Sequence, residues 1–218
     1  LDPTAPTPSV EAILHALIPL RYVDHTHTDA VVTLSNSADG AARLTELYGS
    51  EVLILPYVMP GFVLAKQVAQ ATKGLDWSTL RGIVLLNHGL FTFADDAKTS
   101  YSAVIDLVSR AEQCIAANLI PKPPASATAQ STPVSTQGLA RLRRSGGECL
   151  GAPALLRLST TAVAQEFAAR SDAAPLVASG PLTPDHTIHT KPFGAVFSDE
   201  LTAGMGDFAD RYRGYYAA

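Results

Sequence analysis

The densest concentration of reactive side chains lies in Asp24-His25-Thr26-His27-Thr28-Asp29, where two imidazoles stand at i and i+2. On a strand that spacing places both rings on one face, within reach of a single ion. Neutral imidazole is the commonest zinc ligand, and two rings at about 2.0–2.1 Å supply half of a tetrahedral shell. Asp24 or Asp29 would then hold the second ring nitrogen and fix the tautomer. The same pair also suits a polar strand end, so a third donor decides between the two. His88 follows the apolar run Gly82-Ile83-Val84-Leu85-Leu86, in Asn87-His88-Gly89. A buried strand ending in a tight glycine turn aims an imidazole from a rigid element. Alone, His88 is better read as a satisfied core histidine. With His25 and His27 it makes a three-histidine set with a fourth position open, the pattern of catalytic rather than structural zinc. Glu11 is the fourth candidate, one helical turn before His15 on a segment leading into the His25/His27 strand. It is either a solvated first-turn carboxylate favoured by the helix dipole or an acid/base poised at the metal.

These residues need elements to carry them. Val10, Ile13, Leu14 and Leu17 recur at helical spacing after Thr7-Pro8, which reads as an N-cap followed by proline at the first helical position. The pattern then predicts a strand over Tyr22–His27, a helix from Asp29, and a helix over Asp39–Tyr48 closed by Gly49. A buried strand at Val52–Leu55 follows, then a helix opened by Pro60 and ending near Gly74. Strands at Gly82–Leu86 and Leu90–Phe93 come next, and Asp95 caps a long helix to Asn118. Residues 1–118 form the metal-binding core in this reading. Residues 119–138, rich in Pro, Ala, Ser, Thr and Gln, form a linker or mobile loop. Residues 139–218 are less regular, with a helix over Thr161–Arg170, a strand over Phe193–Phe197 and a terminal helix from Asp199. Strands separated by helices imply a layered α/β domain.

Composition narrows the function classes. The 218 residues are 47% hydrophobic and 17% charged, enough to bury a sizeable core. A net charge of −4 gives no basic footprint for nucleic acid. The most apolar run, from Val52 to Ala65, is short and broken by Pro56, Pro60 and Gly61, which argues against a membrane span. Two cysteines, Cys114 and Cys149, cannot build a disulfide framework. A cytoplasmic globular protein is expected. The opening Leu1-Asp2-Pro3-Thr4-Ala5-Pro6-Thr7-Pro8 has neither a basic nor an apolar leader region and reads as a point inside a longer chain.

Pro8-Ser9-Val10-Glu11-Ala12-Ile13-Leu14-His15, Val23-Asp24-His25-Thr26-His27 and Leu86-Asn87-His88-Gly89-Leu90 together resemble the class II aldolase/adducin family over roughly residues 7–117. Three further segments extend the likeness: Leu1 to Ser9, Pro56-Tyr57-Val58-Met59-Pro60-Gly61-Phe62, and Thr183-Pro184-Asp185-His186 on to Thr190-Lys191. They look like the aldolase half of bifunctional proteins that fuse it to a short-chain dehydrogenase, the rhamnulose-1-phosphate aldolase/alcohol dehydrogenases, here truncated at both ends. The resemblance implies a three-layer α/β/α fold with a mixed, largely antiparallel sheet. It implies Zn²⁺, or another divalent metal, on His25, His27 and His88, with Glu11 as the catalytic acid/base. The implied reaction is cleavage of a ketose phosphate, through a metal-stabilised enediolate, to a three-carbon ketone phosphate and an aldehyde. It also implies a homo-oligomer, and a fused dehydrogenase domain in the parent chain. Adducins share the fold without the metal histidines, whereas all three are kept here. The family's Gly- and Ser-containing loops, which precede the Glu helix and hold the substrate phosphate, have no counterpart upstream of Thr7. A sugar-phosphate epimerase and a non-catalytic metal-binding or assembly fragment therefore stay as alternatives.

Weaker signals are read conservatively. Arg143-Arg144-Ser145-Gly146-Gly147 is expected to be a basic solvated turn after a short helix, with phosphate binding as the alternative. His186, His189 and Lys191 are placed in a polar loop before a strand, and Tyr57 is left between cleft and core. Cys114 is read as a small buried hydrophobe, and Arg110 and Glu112 as helix-surface charges.

Overall fold

The computed structural model describes residues 4–118, 135–197 and 201–217, without the side chains of 201–203. Most of the expected 119–138 linker lies outside the described residues. The chain falls into two compact units: Leu1–Ile120 with Leu182–His186, and Pro121–Pro181 with Thr187–Ala218.

The first unit is built on four strands: β1 (Tyr22–Thr26), β2 (Val52–Leu55), β3 (Gly82–Leu85) and β4 (Gly89–Ala94). Their order across the sheet is β1-β4-β3-β2. β1 and β3 each run antiparallel to β4, and β2 runs parallel to β3, so the sheet is mixed and largely antiparallel. Alternation along the strands sends side chains to two opposite faces. Val52, Val84 and Leu90 face a core shared with α2 (Asp29–Ser35), α3 (Gly40–Tyr48) and α5 (Ala97–Ala117). Leu55, Ile83, Leu85, Phe91 and Phe93 face a second core that receives Leu14 from α1 (Ala12–Leu17), Ile18 just beyond it, and Leu64 and Val68 from α4 (Phe62–Ala71). Helices on both faces make the three-layer α/β/α arrangement.

Local signals explain most boundaries. The Thr28 side chain accepts from Val31 N–H at the start of α2. Gly49, at φ 59°, ends α3 in the left-handed region that glycine enters without penalty. α5 is capped one residue later than expected: Asp96, not Asp95, accepts from Thr99 N–H at 2.9 Å. Tyr48 donates its hydroxyl to the Leu107 carbonyl at 2.8 Å, tying α3 to α5, and burial pushes the pKa of that hydroxyl well above the usual phenol range.

α1 departs from the expectation in an instructive way. Of the apolar stripe Val10/Ile13/Leu14/Leu17, only Leu14 is buried, while Val10 is 59% exposed and Ile13 46%. The inward stripe is instead Glu11, Leu14, His15 and Ile18, at i, i+3, i+4 and i+7. The helix is rotated so that its carboxylate and imidazole face the sheet.

The second unit is helical. It contains α6 (Thr136–Leu150), α7 (Ala162–Ala168), α8 (Ala173–Ala178) and α10 (Leu201–Ala217), and α9 (Pro184–His189) starts in the first unit and runs into the second. α6 begins inside the expected linker, with the Ser135 hydroxyl accepting from Gly138 N–H at 3.0 Å, and it ends at left-handed Gly151. Arg143 to Gly147 therefore sits within a helix and forms no turn that could cradle phosphate. Arg144 pairs with Glu148 one turn on, at 3.0 Å. The strand expected over Phe193–Phe197 is not formed. Phe193 is buried against the rings of Phe208 and Tyr215 on α10, with no neighbouring strand among the described residues. Lys191 lies 3.9 Å above the Tyr212 ring, a cation–π contact. Among the described residues, no helix is long and apolar enough to cross a membrane.

Candidate metal centre

Glu11, His25, His27 and His88 come together at the end of the sheet where β1 leaves and the β3–β4 turn closes. One donor atom from each lies within 4.8 Å of every other. His25 is the fourth residue of β1, paired across the ladder with Phe91, and its ring stacks on Phe91 at 3.9 Å and 12°. His27 follows β1 by one residue, so the strand is shorter than expected, yet its Nε2 lies 2.9 Å from Nε2 of His25.

His88 comes from the turn. His88 N–H donates to the Leu85 carbonyl at 3.1 Å, and Asn87 takes the left-handed conformation at φ 60°, which short polar side chains tolerate best. Asn87 is fixed there by its N–H on Ser35 Oγ at 3.0 Å and by its side-chain amide on Asn36. His88 is 2% exposed. Its ring centre lies 5.3 Å from that of His25 and 5.0 Å from that of His27. Glu11 completes the group from α1, with Oε1 at 2.8 Å from His88 Nε2 and Oε2 at 3.5 Å from His25 Nε2.

The hydrogen bonds decide what this cluster can hold. His25 Nδ1 lies 3.0 Å from the Leu90 carbonyl, an acceptor only, so Nδ1 carries the proton and Nε2 of the neutral ring keeps a lone pair. His27 Nδ1 lies 2.6 Å from the carboxylate of Asp185. In the neutral rings both Nε2 lone pairs then face each other, a repulsion that a shared metal ion or a shared proton would relieve. Glu11 Oε1 and His88 Nε2 tell the same story. They approach to 2.8 Å, but neither finds a hydrogen bond of acceptable geometry, and both atoms are buried. A divalent ion among three imidazole nitrogens and a carboxylate would satisfy every one of these atoms. With no ion bound, a proton on the facing nitrogen of His25 first, and then of His88, would hold the Glu11 carboxyl well below the usual carboxylate range, against burial, which pushes it up.

Two expectations are corrected. Asp24 does not support a histidine: its carboxylate accepts from Ser100 Oγ at 2.5 Å, on the α5 side of the sheet. Asp29 is the first residue of α2. The partners expected of them are instead the Leu90 carbonyl and Asp185. His15 lies close by, its ring edge-on to Phe91 at 5.3 Å, and burial lowers its basicity. Tyr57 is about half exposed, with its hydroxyl 3.8 Å from Met59 Sδ, and is not core. Arg110 serves the fold: it bonds Glu51 and the Leu47 carbonyl and lies 5.1 Å above the Tyr48 ring. Cys114 is half-buried at the edge of the α5 core. Sequence reasoning missed Asp185. The Thr183 to Lys191 segment stood out as a likeness, but nothing local marked which of its residues would return to the histidines.

Fold and site together define an α/β domain with an inward-facing three-histidine, one-carboxylate centre. The chain belongs to the class II aldolase and adducin family: residues 2–115 match the class II aldolase and adducin N-terminal domain, and residues 133–218 match the second domain of class II aldolases. A relative from Bacillus subtilis (strain 168), named uncharacterized oxidoreductase YuxG, is 35% identical over 115 residues, 53% of this chain and 16% of that protein. Among solved structures, the N-terminal class II aldolase domain of a conserved protein from Thermoplasma acidophilum is 43% identical. The match covers 52% of this chain and 51% of that one, at a TM-score of 0.46. An aldolase II superfamily protein from Pseudomonas syringae is 23% identical, over 53% of this chain and 49% of that one, at a TM-score of 0.43. The chain thus spans about half of these solved chains and a much smaller share of the curated relative.

Proposed function

We propose that this chain carries the metal-dependent aldol-cleavage site of a longer enzyme, acting on a ketose phosphate of the rhamnulose 1-phosphate kind. The observation that carries the reading is the convergence of four donors within 4.8 Å, with Nε2 of His25 and Nε2 of His27 turned toward one another. His25, His27 and His88 would hold the metal, and zinc suits three nitrogen donors. When bound, a divalent ion withdraws charge from a ketone oxygen and stabilises the negative charge that grows there as a carbon–carbon bond breaks. Glu11 is the proton carrier. It is ionised beside the histidines, so in the addition direction it takes the proton from the carbon next to the carbonyl. In cleavage the substrate hydroxyl gives up its proton as the carbon–carbon bond breaks and the aldehyde forms, and Glu11, having gained a proton, delivers one to the enediolate carbon. The Phe91 ring under His25 and the backbone bond to Leu90 keep the His25 ring from turning away. The name of the Bacillus subtilis relative, and the small fraction of it that this chain matches, support a parent protein with a fused oxidoreductase domain. Assembly into a homo-oligomer and action in the cytoplasm belong to the same reading.

The test is turnover of the zinc-loaded chain on rhamnulose 1-phosphate, with the released aldehyde trapped as its hydrazone. Trapped aldehyde in equal amount to the three-carbon ketone phosphate is the expected result. Conversion to a stereoisomer with no trapped aldehyde would move the reading to epimerisation. Retained zinc with no turnover of any ketose phosphate would leave a non-catalytic metal-binding domain.

A further inference from the structure

We propose that Asp185 is a positioning residue that sets the tautomer and orientation of His27. The proposal rests on the metal reading for its consequence but not for its geometry.

Asp185 Oδ2 lies 2.6 Å from His27 Nδ1, across 158 residues of sequence. The segment Leu182–His186 belongs to the same compact unit as the histidines. It is anchored locally: Thr183 is buried, its Oγ1 is 2.6 Å from Nδ1 of His186, and it accepts from the His186 backbone N–H at 3.4 Å. Pro184 opens the turn that follows, where its missing N–H costs nothing. Asp185 is thus presented by a fixed turn rather than by a drifting surface loop.

The chemistry follows from what each ring nitrogen faces. A carboxylate accepts only, so Nδ1 of His27 donates and Nε2 is left as the basic nitrogen. That Nε2 is the atom turned to His25. Without Asp185, His27 can hold its proton on Nε2 or rotate, and either change removes one donor from the cluster. His25 needs no such partner from a side chain, because the Leu90 carbonyl does the same work from within the sheet. His27 stands one residue beyond β1 and has no ladder carbonyl to fill that role. The two histidines therefore reach the same tautomer by different routes, one through backbone and one through Asp185.

The Asp185 side chain is 58% exposed, and an exposed pair of this kind contributes little to folding. This separates a positioning role from a structural one. In Asp185→Ala, the thermal midpoint of the metal-free chain should stay at the wild-type value, while zinc affinity, read by chelator competition, falls about 10–100-fold. Asp185→Asn, whose amide oxygen still accepts, should recover most of that affinity. Nitrogen-15 NMR of the metal-free chain gives a readout independent of metal. His27 should carry its proton on Nδ1 in wild type and lose that preference in Asp185→Ala, with His25 unchanged. An unchanged His27 tautomer in Asp185→Ala overturns the proposal, and so does an unchanged zinc affinity. If wild type binds no zinc, the metal reading fails, and the tautomer measurement alone decides the role of Asp185.

Discussion

Replacing Glu11 by glutamine is expected to lower ketose phosphate cleavage by about 10²–10⁴-fold while zinc stays bound, the usual range for loss of a positioned acid/base. Glutamine keeps the length of the side chain and an oxygen that can face His88, but it cannot carry a proton between carbon and solvent. The three histidines are untouched, so the metal content of the variant should match wild type. That pairing makes the result informative. If activity and zinc fell together, Glu11 would be a ligand first. If Glu11→Gln turned over at the wild-type rate, the proton would be moved by another group, and the role assigned to α1 would be wrong. The inward rotation of α1 is what makes the prediction specific. Leu14 and Ile18 anchor the helix in the second core, and Glu11 follows them to the histidines because it shares their stripe.

The second large effect is expected at Gly89. A Cβ on this residue would stand 2.7 Å from the Thr26 carbonyl oxygen, 2.9 Å from His27 Cδ2 and 3.1 Å from His25 Cε1. The first of these is backbone held in the β1–β4 ladder, and the other two belong to candidate metal ligands, so none can yield without moving the site. Gly89→Ala should cost about 1–3 kcal/mol of stability, as overpacking of a tight site does. It should also weaken zinc binding, because the rings are displaced together. Gly146→Ala is the matched control. It lies inside α6, where the nearest atom to a new Cβ is 4.0 Å away, and alanine there should be neutral or stabilising by up to about 1 kcal/mol. Denaturant titration and chelator competition on both variants check the contrast. Wild-type zinc affinity in Gly89→Ala would mean that the close approach at this turn does not constrain the histidines.

Much of the first unit was legible because local signals and tertiary demands agree there. Val52–Leu55 is an uninterrupted apolar run that must be buried on both faces, and β2 occupies those residues. Gly49 could end α3 on backbone grounds alone. The histidines were legible for a different reason: i, i+2 spacing and an apolar strand ending in Asn87-His88-Gly89 fix directions, and directions are what a metal requires. The rotation of α1 was not legible. Its apolar stripe gave the hydrophobic pattern, but the sheet receives the neighbouring stripe, and three of the four stripe residues stay at least partly in solvent. Asp185 was not legible because its partner is 158 residues away, and one hydrogen bond leaves no periodicity. In the second unit, Gly146 and Gly147 suggested a turn, but the Ser135 cap and the Gly151 terminus enclose them in one helix. Phe193 to Phe197 carries strand-like residues with no sheet edge to join, and Phe193 is buried by aromatic rings instead. Supporting residues for the histidines were misassigned for a related reason. Asp24 alternates to the face opposite His25 on β1, which carries it to Ser100 and away from the imidazoles.

The central claim is that His25, His27 and His88 hold one divalent metal. Elemental analysis of the purified chain beside His88→Ala tests it most directly, since His88 is remote in sequence from the other two and enters from a different turn. One zinc per chain in wild type, lost in His88→Ala, is the predicted result. Wild type free of zinc even after reconstitution, or His88→Ala retaining zinc at the wild-type level, would contradict it.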